Sequence, residues 1–301
     1  MSALLRFLEN VDPALTKAVS PYSDELCEVR LRAECPVVVY LLDRPFFVRA
    51  SGTLTNEPSD DCIGVSFGQL RDAFARLCEF SVYKHLDNAA NGFITFKGGH
   101  RVGVCGSAVV SAGKVVSVCD IKSLNIRFAK QITGCADLIL SDVSVKDGLL
   151  LCGAPSSGKT TILRDLARTL SLKHMKKTAV VDERSEIASC FGGRCGFDVG
   201  LSDVYSGYPK SAAMMLAVRT MSPDIIICDE LTGEDAEAVS ASLGCGVSVI
   251  SAVHCGSLSS ARKNSSIRSL MSTGAFPKIA FLSGGIPAGL SGVYDSEVYF
   301  E

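Results

Sequence analysis

Residues 153 to 161 read GAPSSGKTT, a run whose residue types and spacing suit the cradling of a phosphate. Gly153 and Gly158 let the backbone fold round an anion, Lys159 carries an ammonium toward the β and γ oxygens, and Thr160 offers a hydroxyl to Mg²⁺. The whole loop, Gly153, Ala154, Pro155, Ser156, Ser157, Gly158, Lys159, Thr160 and Thr161, is therefore expected to hold ATP with Mg²⁺. A chance glycine and serine turn would lack the flanks found here. GLLLCG before the loop reads as a buried strand, and Ile162, Leu163, Leu166, Ala167 and Leu170 after it form an apolar helical stripe. The start of that helix points free N–H groups and the positive end of its dipole at the anion.

Carboxylates recur at the ends of later apolar runs. DIIICDE closes on Asp229 and Glu230, expected to hold the metal and to orient the attacking water respectively. VVDERSE contains Asp182 and Glu183, and two readings stand: these acids reach metal or water, or Arg184 and Glu186 form an ordinary ion pair at a helix start. His254 closes VISAVH, where a strand end would bring it to a γ-phosphate, although a lone histidine is more often a satisfied structural residue.

The elements that must position these groups fall into two blocks. From about residue 148, GLLLCG, TAVVDE, DIIICDE and VSVISAVH alternate with helical patterns through MMLAVRTM and EDAEAVSASL, which predicts a mostly parallel sheet covered on both faces. Ligands of such sheets sit at the carboxyl ends of the strands. Before it, EVRLRAECPVVVYLL reads as two strands meeting at Pro36, and Ser66 with Gln69 opens a helix through a capping box. NGFITF, RVGVCGSAVV, VVSVCD and SLNIRFA then read as four short strands of an antiparallel meander. Residues 1–135 are expected as a smaller α+β domain and residues 136–301 as the phosphate-binding α/β domain, with KQITGCAD as the junction.

Composition narrows the partners. Thirty basic against 32 acidic residues, a net charge of -2, gives no global attraction to nucleic acid, and no nucleic-acid partner is expected. No apolar run approaches the roughly 20 residues of a membrane span, so no direct insertion is expected. The opening MSALLRFLENVDPALTKAVS lacks the long apolar core of a signal peptide and reads as an amphipathic helix broken at Pro13. Thirteen scattered cysteines without a C-x-x-C pair argue against a disulfide framework and against zinc, and most are expected as small buried hydrophobes. Cys190 and Cys195 are the closest pair, with no further ligands in view.

Taken in order, GAPSSGKTT, VVDERSE, PDIIICDE and VISAVH resemble the Walker A, Asp box, Walker B and His box of the secretion ATPase superfamily, which drives type II and type IV secretion and pilus assembly. FSVYKH, NGFITFKGGHRVGVCG and DIKSLNIRFAKQITGCAD extend a narrower resemblance, to a sporulation branch of that superfamily, over nearly the full chain. The resemblance implies a RecA/AAA-like P-loop ATPase domain and a cytoplasmic protein peripheral at the inner face of the mother-cell membrane. It also implies a homo-hexameric ring, membrane subunits of the channel joining mother cell and forespore as partners, and ATP hydrolysis that powers or assembles that channel. For single residues it implies catalytic duty for Lys159, Glu230, Glu183 and His254, and Mg²⁺ contacts from Thr160, Asp229 and Asp182. Arg101 and Arg127 lie in segments similar to those whose arginines reach the nucleotide in such rings.

Two departures qualify the likeness. CDE stands where secretion motors carry a glycine before the glutamate, and Cys255 follows His254 where a small flexible residue is expected. A nucleotide-gated adaptor, which binds ATP or ADP and recruits a membrane partner with little turnover, is the alternative from another functional class.

Overall fold

The computed structural model describes residues 3–78, 92–96, 98–141, 148–191, 193–284 and 289–300; FSVYKH lies outside them. The chain divides into two compact units, Met1–Lys130 and Gln131–Glu301.

In the first unit the Asp12 carboxylate accepts the Ala14 N–H at 2.7 Å, so the proline that ends helix α1 (Ala3–Val11) begins helix α2 (Pro13–Val19). Helix α3 (Phe67–Leu77) opens with the Ser66–Gln69 capping box and buries Leu70, Phe74 and Leu77. These helices share one core with an antiparallel sheet of β1 (Leu26–Arg32), β2 (Val38–Leu41), β3 (Arg44–Val48), β4 (Leu54–Thr55), β5 (Phe93–Phe96), β6 (His100–Ser111) and β7 (Lys114–Arg127). The spatial order is β4-β3-β2-β1-β7-β6-β5. VVSVCD and SLNIRFA, expected as two strands, are one continuous β7. The irregularity between them is absorbed by a register shift against β6 between Cys105 and Ser107, with Asp120 at φ 44°. Gly106 makes the room: a Cβ there would lie 2.4 Å from the Cys119 carbonyl oxygen.

The second unit follows helix α4 (Asp137–Leu140) with β8 (Leu149–Gly153), α5 (Lys159–Leu172), β9 (Thr178–Asp182), a small hairpin of β10 (Cys190–Phe191) and β11 (Arg194–Cys195), and β12 (Asp203–Ser206). Helix α6 (Lys210–Met221), β13 (Ile225–Glu230), α7 (Ala236–Gly244), β14 (Ser248–His254), α8 (Leu258–Lys263), α9 (Ser265–Met271), β15 (Lys278–Gly284), β16 (Gly289–Asp295) and α10 (Ser296–Phe300) complete it. Its sheet runs β12-β9-β13-β14-β8-β15-β16, parallel throughout except for β16. Alternate residues of β8 serve opposite cores: Leu149 and Leu151 pack with Ile162, Leu163, Leu166 and Leu170 of α5, while Leu150 and Cys152 pack with Met214 and Val239 of α6 and α7. Each fully buried Leu or Ile of that α5 stripe contributes roughly 1.5–3 kcal/mol of transfer free energy, which pins the start of α5 at the carboxyl end of β8.

The cysteines depart from expectation. Cys78, Cys135, Cys152, Cys228 and Cys255 are buried, but Cys35, Cys105, Cys119 and Cys245 are exposed. Cys190 and Cys195 form a disulfide, because the β10–β11 ladder sets them directly opposite each other in register.

Candidate nucleotide-binding and hydrolysis site

The loop between β8 and α5 is folded as its glycines predict. Gly158 caps α5 at φ 91° and Ser156 adopts φ 61°, left-handed conformations that bend the loop sharply between strand and helix. Gly153 gives the Ser157 hydroxyl its place, since a Cβ there would meet Ser157 Oγ at 2.2 Å and force it to move. That Oγ is buried without a hydrogen-bond partner, as expected of a cradle whose polar atoms await an anion. The cradle opens into a cleft of about 440 Å³ lined by loop residues Pro155 to Thr161 and by Arg184, Glu186, Asp229, Glu230 and His254.

Lys159 is 7% exposed and its ammonium is engaged on three sides, donating to the carbonyl oxygens of Gly153 at 2.9 Å and Ala154 at 2.8 Å and lying 3.1 Å from His254 Nδ1. An ammonium has three N–H donors, so all are taken. Burial pulls its pKa down, and the charges of Glu230, Cys152 and Asp229 oppose that shift. On its other side the imidazole turns Nε2 toward Glu230 Oε1 at 3.1 Å. Glu230 Oε2 lies 3.7 Å from Arg184 Nη1. A chain of four side chains therefore crosses the cleft, from Lys159 through His254 and Glu230 to Arg184.

Strand alternation would point Asp229 and Glu230 to opposite faces of the sheet, yet both line the cleft. The cause is a register shift against β14, where Ile227 pairs with Ile250 but Glu230 with Ala252. Asp229 is 5% exposed, and its carboxyl is pushed up to about 6 by burial and then by the negative charges of Glu186 and Asp182. A divalent cation beside Thr160 would relieve that cost, so the residues present suit Mg²⁺.

The segment after β9 differs from expectation. Asp182 is fully buried, and its two oxygens accept four backbone N–H groups, those of Glu186 and Ile187 on Oδ1 and of Ala188 and Ser189 on Oδ2. Its carboxylate is thus engaged by its own loop, and it does not line the cleft. Glu183 pairs with Lys210 at 3.0 Å and does not line the cleft; Arg184 and Glu186 do, and Arg184 pairs with Glu230 rather than with Glu186. Ser185 at φ 55° supplies the turn that swings Arg184 and Glu186 inward, a backbone detail that side-chain spacing does not encode.

Arg164 fastens this loop to α5. Its buried guanidinium donates to the carbonyl oxygens of Ile187 at 2.6 Å and Glu186 at 2.7 Å and stacks 3.4 Å over the Phe197 ring. Burial lowers its pKa to about 10. This residue carried no sequence signal, because its partners are carbonyls.

Arg101 and Arg127 belong to the first unit, where they are direct cross-strand partners of β6 and β7. Both are exposed; Arg101 lies 4.0 Å over the Phe93 ring, and Arg127 stands 3.6 Å from Glu28.

The two-sided parallel sheet with its phosphate loop defines a P-loop protein of the secretion-ATPase fold. The solved ATPase DotB of Legionella pneumophila shares that fold at a TM-score of 0.51 and 14% identity, covering 92% of this chain and 74% of its own. The chain belongs to the family "Sporulation stage III, protein AA", whose profile matches residues 6–299. It is 35% identical over 298 residues to stage III sporulation protein AA of Bacillus subtilis (strain 168), covering 96% of this chain and 93% of that protein. The Arabidopsis thaliana protein SEEDLING PLASTID DEVELOPMENT 1 is 29% identical over 163 residues, covering 49% of this chain and 22% of its own length. No helix among the described residues is long and apolar enough to cross a membrane.

Proposed function

We propose that this protein is an Mg²⁺-dependent ATPase whose second unit, beginning near the 130s, hydrolyses ATP and whose first unit completes the site of a neighbouring copy in a homo-hexameric ring. The observation that carries this reading is the side-chain chain across the cleft, which holds a lysine, a histidine and a carboxylate in contact beside the phosphate cradle. ATP binds with its phosphates on the loop residues Gly153 to Thr161, and Lys159 exchanges its carbonyl partners for phosphate oxygens. Thr160 and Asp229 would hold Mg²⁺, which when bound would supply positive charge against the phosphates. Glu230 orients the attacking water, and His254 holds Glu230 in line. Asp182 and Glu183 act at one remove, the first by shaping the loop and the second through Lys210. Arg101 and Arg127 stabilise transition-state charge from the adjacent subunit, which makes turnover depend on assembly.

We place this work at the cytoplasmic face of the mother-cell membrane, against membrane subunits of the sporulation channel complex; the support for it is the family's link to stage III of sporulation. A nucleotide-gated adaptor is the second reading, favoured by one observation, that Lys159 and Glu230 are both engaged without nucleotide, as a latch would be. Hydrolysis of Mg²⁺-ATP measured against protein concentration, with mass measured in the same samples, separates the two. The ATPase reading expects a rate per subunit that climbs with ring formation and is lost in Glu230→Gln protein that still binds ATP. Wild-type turnover by Lys159→Ala protein would refute it, and tight ATP binding with negligible turnover in assembled rings would favour the adaptor.

A further inference from the structure

Arg184 has no role in the scheme above, yet it is a cation of this same subunit placed in the cleft. Three features set it there. Its loop is locked from beneath by the four amides on Asp182 and from behind by the Arg164 guanidinium, so the position of Arg184 is built by the fold. Ser185 at φ 55° and Ser189 at φ 51° hold unfavourable backbone conformations on either side of that anchorage, a cost that persists only where the surroundings over-determine it. Finally, the side chain itself is 62% exposed and has one described partner, Glu230, at a separation of 3.7 Å, beyond hydrogen-bond distance. A loosely paired guanidinium on a rigid stem is free to exchange that partner for a stronger one, and a phosphate that accepts two parallel N–H bonds is stronger.

We propose that Arg184 is a sensor, acting within its own subunit, of the terminal phosphate of a nucleoside triphosphate. Without nucleotide it neutralises Glu230; when a triphosphate occupies the cradle it transfers to the γ-phosphate and leaves Glu230 free to orient water. A diphosphate offers no terminal group at that point, so Arg184 stays on Glu230. The inference rests on the ATPase reading of this cleft and adds to it the means of telling triphosphate from diphosphate.

The test is equilibrium binding of ATP and of ADP, each with Mg²⁺, to the full chain as wild type, Arg184→Ala and Arg184→Lys, with Glu230→Gln added throughout to prevent turnover. Arg184→Ala is expected to weaken ATP by about tenfold to a hundredfold, the range of one lost charged hydrogen-bond pair, and to leave ADP within about threefold. Arg184→Lys should recover part of the ATP affinity. Unchanged ADP binding shows that the variant is folded. Equal losses for both nucleotides, or no loss for either, would overturn the sensor while leaving the ATPase reading intact. If the Glu230→Gln parent binds neither nucleotide, both fall.

Discussion

Lys159 Nζ lies 3.1 Å from His254 Nδ1, and the same imidazole faces Glu230 on its other nitrogen. His254 thus touches both Lys159 and Glu230. Its replacement by alanine should leave ATP affinity within a few-fold of wild type, since the cradle is untouched. Steady-state kinetics should show kcat lowered by about 10²-fold or more, the scale of a lost electrostatic or acid–base partner. A matched loss of affinity and kcat would mean that His254 merely packs.

Arg101 and Arg127 stand opposite each other, an arrangement that costs stability unless something uses it. Alanine at either position should change the stability of the first unit by no more than about 0.5 kcal/mol, because both side chains are exposed. Hydrolysis should fall by about 10³-fold or more if the arginine acts on a neighbour's nucleotide. Mixing Arg127→Ala protein, whose cradle is intact, with Lys159→Ala protein, whose arginines are intact, should restore part of the rate in mixed rings. No recovery in mixed rings of verified composition would argue against supply from the neighbour.

Asp182 anchors its loop through four amide hydrogen bonds, so Asp182→Ala leaves four backbone donors, three of them buried, without their acceptor. Denaturant unfolding of the nucleotide-free protein should show a loss of about 3 kcal/mol, with Asp182→Asn intermediate because one carbonyl acceptor remains. A loss below about 1 kcal/mol in the alanine variant would return Asp182 to the metal.

His100 sets a pH limit on the first unit. Burial lowers its pKa from 6.5 to about 4, and its Nδ1 accepts the Ala129 N–H at 3.1 Å. The folded state therefore binds the proton less readily than the unfolded chain. The resulting stability is complete above about pH 6.5 and is lost as pH falls toward 4. It amounts to about 2 kcal/mol, reduced from the full shift because the ring keeps some contact with water. The pH dependence of unfolding should flatten over that window in His100→Asn, and an unchanged profile would assign the acid sensitivity elsewhere.

The turn between β8 and α5 was legible because its determinants are contiguous: the glycines that bend it and the lysine that opens α5 fall within nine successive positions. The α5 stripe and the two-sided β8 followed from periodicity, and the capping box at Ser66 from local hydrogen bonding. Register was not legible. The shift that turns both Asp229 and Glu230 into the cleft, the continuity of β7 and the pairing of Arg101 with Arg127 all depend on which residue faces which across a ladder. Backbone turns were equally hidden, so spacing alone does not show that Arg184 and Glu186, rather than Asp182 and Glu183, line the cleft. Strands β12, β15 and β16 went unread, two of them short or rich in glycine, which weakens the alternating signal.

Strand β8 sits inside its sheet with β14 on one side and β15 on the other, so Leu149 is hydrogen-bonded into strands that begin near residues 248 and 278. A nascent chain that has just exposed GAPSSGKTT has neither neighbour to pair with. The loop that follows β8 therefore gains its full support only late in synthesis, once both long-range ladders have closed. Chains cut short before β15 would carry every residue of the loop and still lack one wall of the strand that shapes it.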